Sequence, residues 1–215
     1  VSPGKYYLKP DIPYTGTDRD NIKPGDIKYK DLNGDGVIDE YDITIIGNPV
    51  PKHSGGFVNN FRYKNFSLNV FFQWVYGNDI FNGNRIYFEG NPSNVPNLNQ
   101  YASYADRWTP ENQSNTMFRS GGYGPAYYSS RLIEDGSFLR LKTVSLGYEI
   151  PKKILSRFKI SNMNLSLVAQ NLYTWTKYSG MDPEVSARHS TLTPGFDFSA
   201  YPRARTIAFS LRTTF

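Results

Sequence analysis

The sequence predicts an all-β protein, part of the wall of an antiparallel β-barrel that crosses a membrane on strands. Two stretches predict it. In 206–215, TIAFSLRTTF, Ile207, Phe209 and Leu211 fall on one face with Phe215 closing it, and Thr206, Ala208, Ser210, Arg212 and Thr214 fall on the other. In 66–76, Phe66, Leu68, Val70, Phe72, Trp74 and Tyr76 share one face, with Ser67, Asn69 and Gln73 opposite, where Phe71 and Val75 dilute the polar character. A strict period of two means a strand with one apolar and one wetted side. A strand of about 10 residues, apolar outward and ending on an aromatic, is the pattern of a barrel in lipid.

The remaining strands follow in order. Residues 1–30 are rich in Pro, Gly and Asp and read as loop. Residues 55–63 open the strand-bearing part, with Phe57, Phe61 and Tyr63 in phase, and Lys64-Asn65 turns the chain into 66–76 as a hairpin. Residues 77–135 are dominated by Asn, Gly, Ser, Pro and Tyr, a connection too long to be ordinary and therefore functional or disordered. In 137–150 the apolar phase slips between Leu139/Leu141 and Val144/Leu146/Tyr148, which predicts a β-bulge near Lys142. After a basic turn at 151–161, residues 162–174 place Leu165, Leu167 and Ala169 outward and Ser166, Gln170 and Thr174 inward, and Tyr173 and Trp175 sit where the strand leaves the lipid. Residues 176–203 form a second long loop.

Connections thus alternate short and long. Barrels of the bacterial outer membrane have short periplasmic turns and long extracellular loops. Lys64-Asn65 and 151–161 are then periplasmic; 77–135, 176–203 and 1–53 are extracellular. The pattern yields about five strands, fewer than the 8 of the smallest barrels, and open edges are not tolerated in lipid. The chain therefore belongs to a larger barrel. Its first residues, Val1-Ser2-Pro3-Gly4, are neither an initiator nor a signal peptide, and a mature or cut chain is expected.

Composition agrees. A mean hydropathy of −0.54 does not count against barrel strands, half of whose residues face the lumen. Aromatics at 16% suit interfacial girdles. Without cysteine there is neither a disulfide framework nor thiol chemistry. The net charge of +5 is spread through loops and turns, so nucleic acid is not an expected partner.

Residues 31–42, DLNGDGVIDEYD, have the spacing of a calcium loop. Asp31, Asn33, Asp35, Asp39 and Asp42 supply oxygens at positions 1, 3, 5, 9 and 12, the carbonyl of Val37 serves position 7, and Gly36 makes the sharp turn at 6. Position 12 is Asp rather than Glu, which weakens a bidentate grip. The expected cofactor is one structural Ca²⁺ stiffening an extracellular loop; the bland alternative is an Asp/Asn/Gly surface turn without an ion. Tyr87, Phe88, Tyr101, Tyr104, Trp108, Tyr123, Tyr127 and Tyr128 in 77–135 have faces suited to sugar rings, although packing of the loop on itself is the better expectation for any one of them. Asp182-Pro183-Glu184 fixes no spacing for a carboxylate pair, and His53 and His189, the only histidines, sit in loop-like sequence. No enzyme motif is present, and the chain reads as a non-enzyme.

Several phrases resemble one family. Ile133-Glu134-Asp135-Gly136-Ser137-Phe138-Leu139-Arg140-Leu141-Lys142 running on to Leu146-Gly147-Tyr148 and Pro151, Ala169-Gln170-Asn171-Leu172-Tyr173-Thr174-Trp175, Gly180-Met181-Asp182-Pro183-Glu184, Tyr201-Pro202-Arg203 to the end, and Gly25-Asp26 before the calcium loop are similar to SusC/RagA TonB-dependent transporters of the Bacteroidetes outer membrane. The resemblance implies the C-terminal strands and extracellular loops of a 22-stranded barrel around a plug. It implies import of oligosaccharides or peptides with a SusD-like surface lipoprotein as lid, driven by TonB through an N-terminal part absent from this sequence. The strand-bearing region is then 54–215, preceded by an extracellular loop at 1–53. The rival reading is a soluble, secreted, carbohydrate-binding β-sandwich with a structural calcium.

Overall fold

A computed structural model describes residues 6–7, 23–36, 38, 40–90, 97–121, 128–185 and 193–215. The chain divides into two interleaved units: residues 51–78, 135–183 and 201–215 form a wall unit, and residues 1–50, 79–134 and 184–200 form a loop unit.

Ten strands are described. β1 (Tyr6–Tyr7) pairs with β2 (Ile45–Gly47). β3 (His53–Tyr63) and β4 (Phe66–Tyr76) form the hairpin, turned by Lys64 at φ 52°. Next come β5 (Asp79–Asn82), α1 (Asn84–Phe88), β6 (Ile133–Asp135) and β7 (Phe138–Glu149). α2 (Lys152–Leu155), β8 (Asn162–Thr176), β9 (Phe196–Asp197) and β10 (Thr206–Thr214) complete the chain. The 151–161 connection is therefore a short helical turn, pinned by the buried Leu155.

The wall is a five-stranded antiparallel sheet in the order β10-β8-β7-β4-β3. Its register fixes which residues share a face. Phe57, Phe72, Leu141 and Tyr173 are laterally aligned across four strands, as are Asn60, Asn69, Ser145, Val168 and Ala208 across five. Alternation then puts Phe61, Leu68, Val70, Trp74, Leu139, Leu146, Leu167, Trp175, Ile207, Phe209 and Leu211 on the first face. Side chains on that face are exposed: Phe61 is 59%, Leu167 44% and Phe209 69% exposed. The soluble rival, a sandwich, calls for such a face to be buried. The opposite face carries an Asn69 Nδ2 bond to Asn60 Oδ1 at 2.6 Å and an Arg62–Glu149 ion pair at 3.4 Å.

Two aromatic levels bound the apolar band. Tyr63, Phe66 and Tyr148 stand at the end of the tight turns, and Trp74, Tyr76, Tyr173 and Trp175 at the end where the long connections leave. From Phe66 to Trp74, steps of about 3.4 Å give about 27 Å along the strand, or about 21 Å across a bilayer at a tilt near 40°. The outward band of membrane barrels is about 25 Å tall.

The phase slip in β7 is real. Phe71 and Phe72 of β4 face Thr143 and Leu141, so Lys142 is the extra residue, and the β7–β8 register breaks at the same place. Asn171 of β8 turns there with φ 52°, a conformation Asn tolerates better than most residues.

The loop unit contains a small sheet in the order β6-β5-β9, with β5 and β9 parallel. Ile80, Phe81, Met117, Phe118 and Leu132 are buried in it. The 77–135 connection, expected to be functional or disordered, thus includes an apolar core of its own.

Candidate functional site

Polar chemistry in the wall concentrates at one point. Arg140 of β7 is 2% exposed; its Nε donates to Thr174 Oγ1 at 3.0 Å, and its terminal nitrogen pairs with Asp182. Asp182 Oδ2 also accepts the backbone N–H of Arg203 at 3.0 Å. Burial of a guanidinium is tolerated when a carboxylate and further acceptors satisfy it. Asp182, whose neighbourhood with Glu184 hinted at paired carboxylates, is therefore a structural tether: it ties the segment after β8 to β7 and to the segment that leads into β10. A cavity of about 330 Å³ beside this pair is lined by Asn171, Tyr173, Met181 and Arg205 among others. Sequence inspection missed this convergence. Three separate phrases that carry the family resemblance, around Arg140, Asp182 and Arg203, meet here.

In the loop unit, Glu89 accepts Arg85 Nε at 3.0 Å and pairs with Arg131, Arg85 also reaches Glu134 at 3.4 Å, and Asn82 Nδ2 donates to Glu134 Oε1 at 3.0 Å. Arg131 lies over the Phe118 ring at 4.6 Å, and its burial lowers the guanidinium pKa against the opposing pull of Glu89. Asp26, its side chain 1% exposed, receives a two-pronged bond from Arg119 at 2.6 and 3.2 Å. Gly25 beside it has φ 89° and lies under Trp108, whose ring would stand 2.4 Å from a Cβ. That contact accounts for glycine in the Gly25-Asp26 phrase.

Loop aromatics contact other rings and charges of the loop unit. Tyr87 meets Phe198 edge-on at 5.4 Å, Phe88 lies 5.4 Å from Tyr101, and Tyr128 is edge-on to Phe81 at 5.1 Å. Tyr104 faces the Arg107 guanidinium at 4.9 Å. Tyr123, Tyr127 and His189 lie outside the described residues. His53 opens β3 rather than sitting in a loop, and its Nδ1 accepts the Trp74 indole N–H at 3.2 Å.

Of the six expected calcium ligands, Asp31, Asn33, Asp35 and Asp42 are described, and Val37 and Asp39 are not. Asp31 accepts the N–H groups of Gly34 at 2.6 Å and Gly36 at 2.8 Å. Asp42, 3% exposed, accepts those of Leu32 at 2.6 Å and Asn33 at 3.3 Å. Asn33 Oδ1 accepts Asp35 N–H at 2.9 Å, and its Nδ2 donates to Asp35 Oδ2 at 2.8 Å. Among the described residues no three acidic or histidine side chains converge on one point. The donor set, all hard oxygens, fits Ca²⁺ in type, and backbone N–H bonds leave carboxylate lone pairs for a cation.

At the end of the wall where the long connections leave, the Asp135 carboxyl is held below its usual pKa chiefly by the Ser137 hydroxyl, with help from the Ser137 N–H and the charge of Lys177, against a desolvation penalty.

No family model matches the chain. One TonB-dependent receptor of Formosa agariphila is 35% identical over 203 residues, covering 92% of this chain and 20% of the receptor. SusC, a TonB-dependent receptor of Bacteroides thetaiotaomicron, is 28% identical over 91% of this chain and 18% of its own length. Among solved structures, the RagAB peptide transporter superposes with a TM-score of 0.73 at 23% identity over 99% of this chain and 23% of its own. The RagAB peptide importer in an open state gives 0.71 at 25% identity over 91% of this chain and 21% of its own. The chain thus spans about a fifth of the length of the curated relatives it matches. These relatives are receptors and transporters, not enzymes. The chain is a homologue of one stretch of SusC-type TonB-dependent receptors of the bacterial outer membrane, and its antiparallel wall is a fragment of that barrel.

Proposed function

We propose that this chain lines part of the conduit of an outer-membrane nutrient importer driven through TonB. The observation that carries the reading is the one-sided wall. One face is apolar and exposed, the other carries polar groups such as Asn60, Asn69, Ser145 and Arg140 among apolar ones such as Phe71 and Val75, and β3 and β10 each keep an edge without a strand partner among the described residues. Such edges are not tolerated in lipid and call for further strands that close the barrel. The arginine, asparagine and hydroxyl groups of the polar face suit an oligosaccharide or peptide cargo, and a SusD-like lipoprotein closes over the extracellular loops. This chain's residues shape and polarise the wall; none performs covalent chemistry on the cargo.

The test is uptake by cells carrying the full-length receptor, with labelled oligosaccharides and peptides offered separately. Uptake of one class that stops when the inner-membrane proton gradient is collapsed supports the reading, as does co-purification of a surface lipoprotein. Gradient-independent passage of both classes would leave only a passive pore.

A structural Ca²⁺ is part of the same proposal, held by Asp31, Asn33, Asp35, the Val37 carbonyl, Asp39 and Asp42. Supporting it are the loop spacing and the backbone N–H groups that aim the Asp31 and Asp42 carboxylates. Calorimetry on the intact receptor is expected to record one calcium bound at millimolar concentration or below, and none after Asp31→Ala. No uptake of calcium by the unaltered receptor would remove the ion from the account.

A further inference from the structure

We infer that the outer rim of the wall holds a phosphorylated lipid headgroup from the outer leaflet. The inference rests on the outer-membrane placement and is independent of the cargo. Trp74, Leu139 and Trp175 are lateral neighbours on the lipid-side face, at the end of the strands where the long connections leave. They contribute to a groove of about 510 Å³ whose lining also includes His53, Asp135 and Lys177. Leu139 is 37% and Trp175 48% exposed, so the groove presents an apolar floor and an aromatic wall. An acyl chain fits such a surface, and indole and phenol rings favour the headgroup level.

Charge selects the headgroup. Lys177 lies just past the end of β8 and makes no ion pair within 4.0 Å among the described residues. Lys52 stands at the start of β3, bonded through its backbone N–H to Tyr76 O at 2.9 Å. Its stem crosses Gly77, where a Cβ would lie 2.7 Å from Lys52 Cδ. His53 adds a directed donor. It stacks on Tyr76 at 5.0 Å, and its Nδ1 accepts the Trp74 indole N–H, which leaves the proton on Nε2. The groove is lined by Lys177, the His53 imidazole and one acid, Asp135, and Lys52 directly precedes His53 in the chain. The excess is positive, at the level where an anionic headgroup sits above lipid tails. A soluble anion would use the charges alone and leave the apolar groove bare; a phosphorylated lipid uses both.

Native mass spectrometry of the full-length, delipidated receptor tests this with three probes: a phosphorylated acyl glucosamine disaccharide, the same lipid without phosphate, and inorganic phosphate. The receptor is expected to hold the phosphorylated lipid at least tenfold more tightly than the dephosphorylated one, and inorganic phosphate does not displace it. K52A/K177A is expected to erase that ratio while the dephosphorylated lipid still binds, with barrel integrity checked by heat-modifiable gel mobility. His53→Phe, which keeps the stack on Tyr76 and removes the donor, gives a partial loss. A ratio near one in the unaltered receptor overturns the inference without recourse to any variant. So does a ratio preserved in K52A/K177A, or displacement by inorganic phosphate, which would mark a soluble-anion site instead.

Discussion

Arg140→Ala is the most informative perturbation of the wall. It removes the guanidinium that Asp182 and Thr174 share, while the Arg203 N–H still reaches Asp182, whose side chain is 7% exposed. Breaking a buried pair from one side costs about 3–5 kcal/mol, because the remaining charge stays desolvated. The loss is local, so it appears as opening of the segments Asp182 tethers rather than as global melting. At about 1.4 kcal/mol per tenfold, their opening constant rises on the order of 10²- to 10⁴-fold. Hydrogen exchange on the intact receptor in detergent reads this directly in peptides covering 177–183 and 201–205, with β3 and β4 as unchanged references. R140A/D182A is expected to exchange more slowly than R140A alone, since the double change removes the stranded carboxylate. Unchanged exchange in R140A, or strictly additive effects, would refute the tether.

Other consequences follow from the loop unit and the rim. Gly25→Ala places a methyl group against Trp108 at φ 89° and is expected to cost about 2–4 kcal/mol through backbone strain and overpacking; faster proteolytic cutting within 97–121 would register it, and an unchanged pattern would dismiss the contact. The Asp135 carboxyl is held below its ordinary value of 3.8, so its contribution is present above that pH and is lost as pH falls through the depressed folded value. Thermal stability of Asp135→Asn should trail the unaltered receptor near pH 6 and converge with it in acid; a constant gap down to pH 3 would contradict this. Arg85→Ala leaves Glu89 and Glu134 short of a shared cation and should destabilise the loop unit by about 3 kcal/mol, seen as faster exchange at 79–90 and 130–134.

The wall was legible because a strand's period of two leaves little freedom. The face of β4 and the closing strand could be read residue by residue, and even the bulge at Lys142 announced itself as a slip of apolar phase. Its edges shifted only slightly: β3 begins at His53 rather than Gly55, and β8 runs on to Thr176. The loop unit was not legible, since β5, β6 and β9 are short, carry no periodic signal and are joined from distant stretches. The Arg140–Asp182 pair was hidden for the same reason: its partners lie 42 residues apart and neither position has a local pattern. Composition did expose the loop aromatics, yet only the folded geometry showed Phe88 and Tyr128 spent on packing.

The central claim is that the face carrying Phe209 meets lipid and the face carrying Ser210 meets water. Spin labels placed singly at residues 206–211 of the full-length receptor in bilayers test it, using collision with oxygen and with a water-soluble nickel reagent. The account predicts a period of two: labels at 207, 209 and 211 favour oxygen, and those at 206, 208 and 210 favour nickel. Uniform nickel access along the strand, or equal access on both faces, would contradict a membrane-spanning wall.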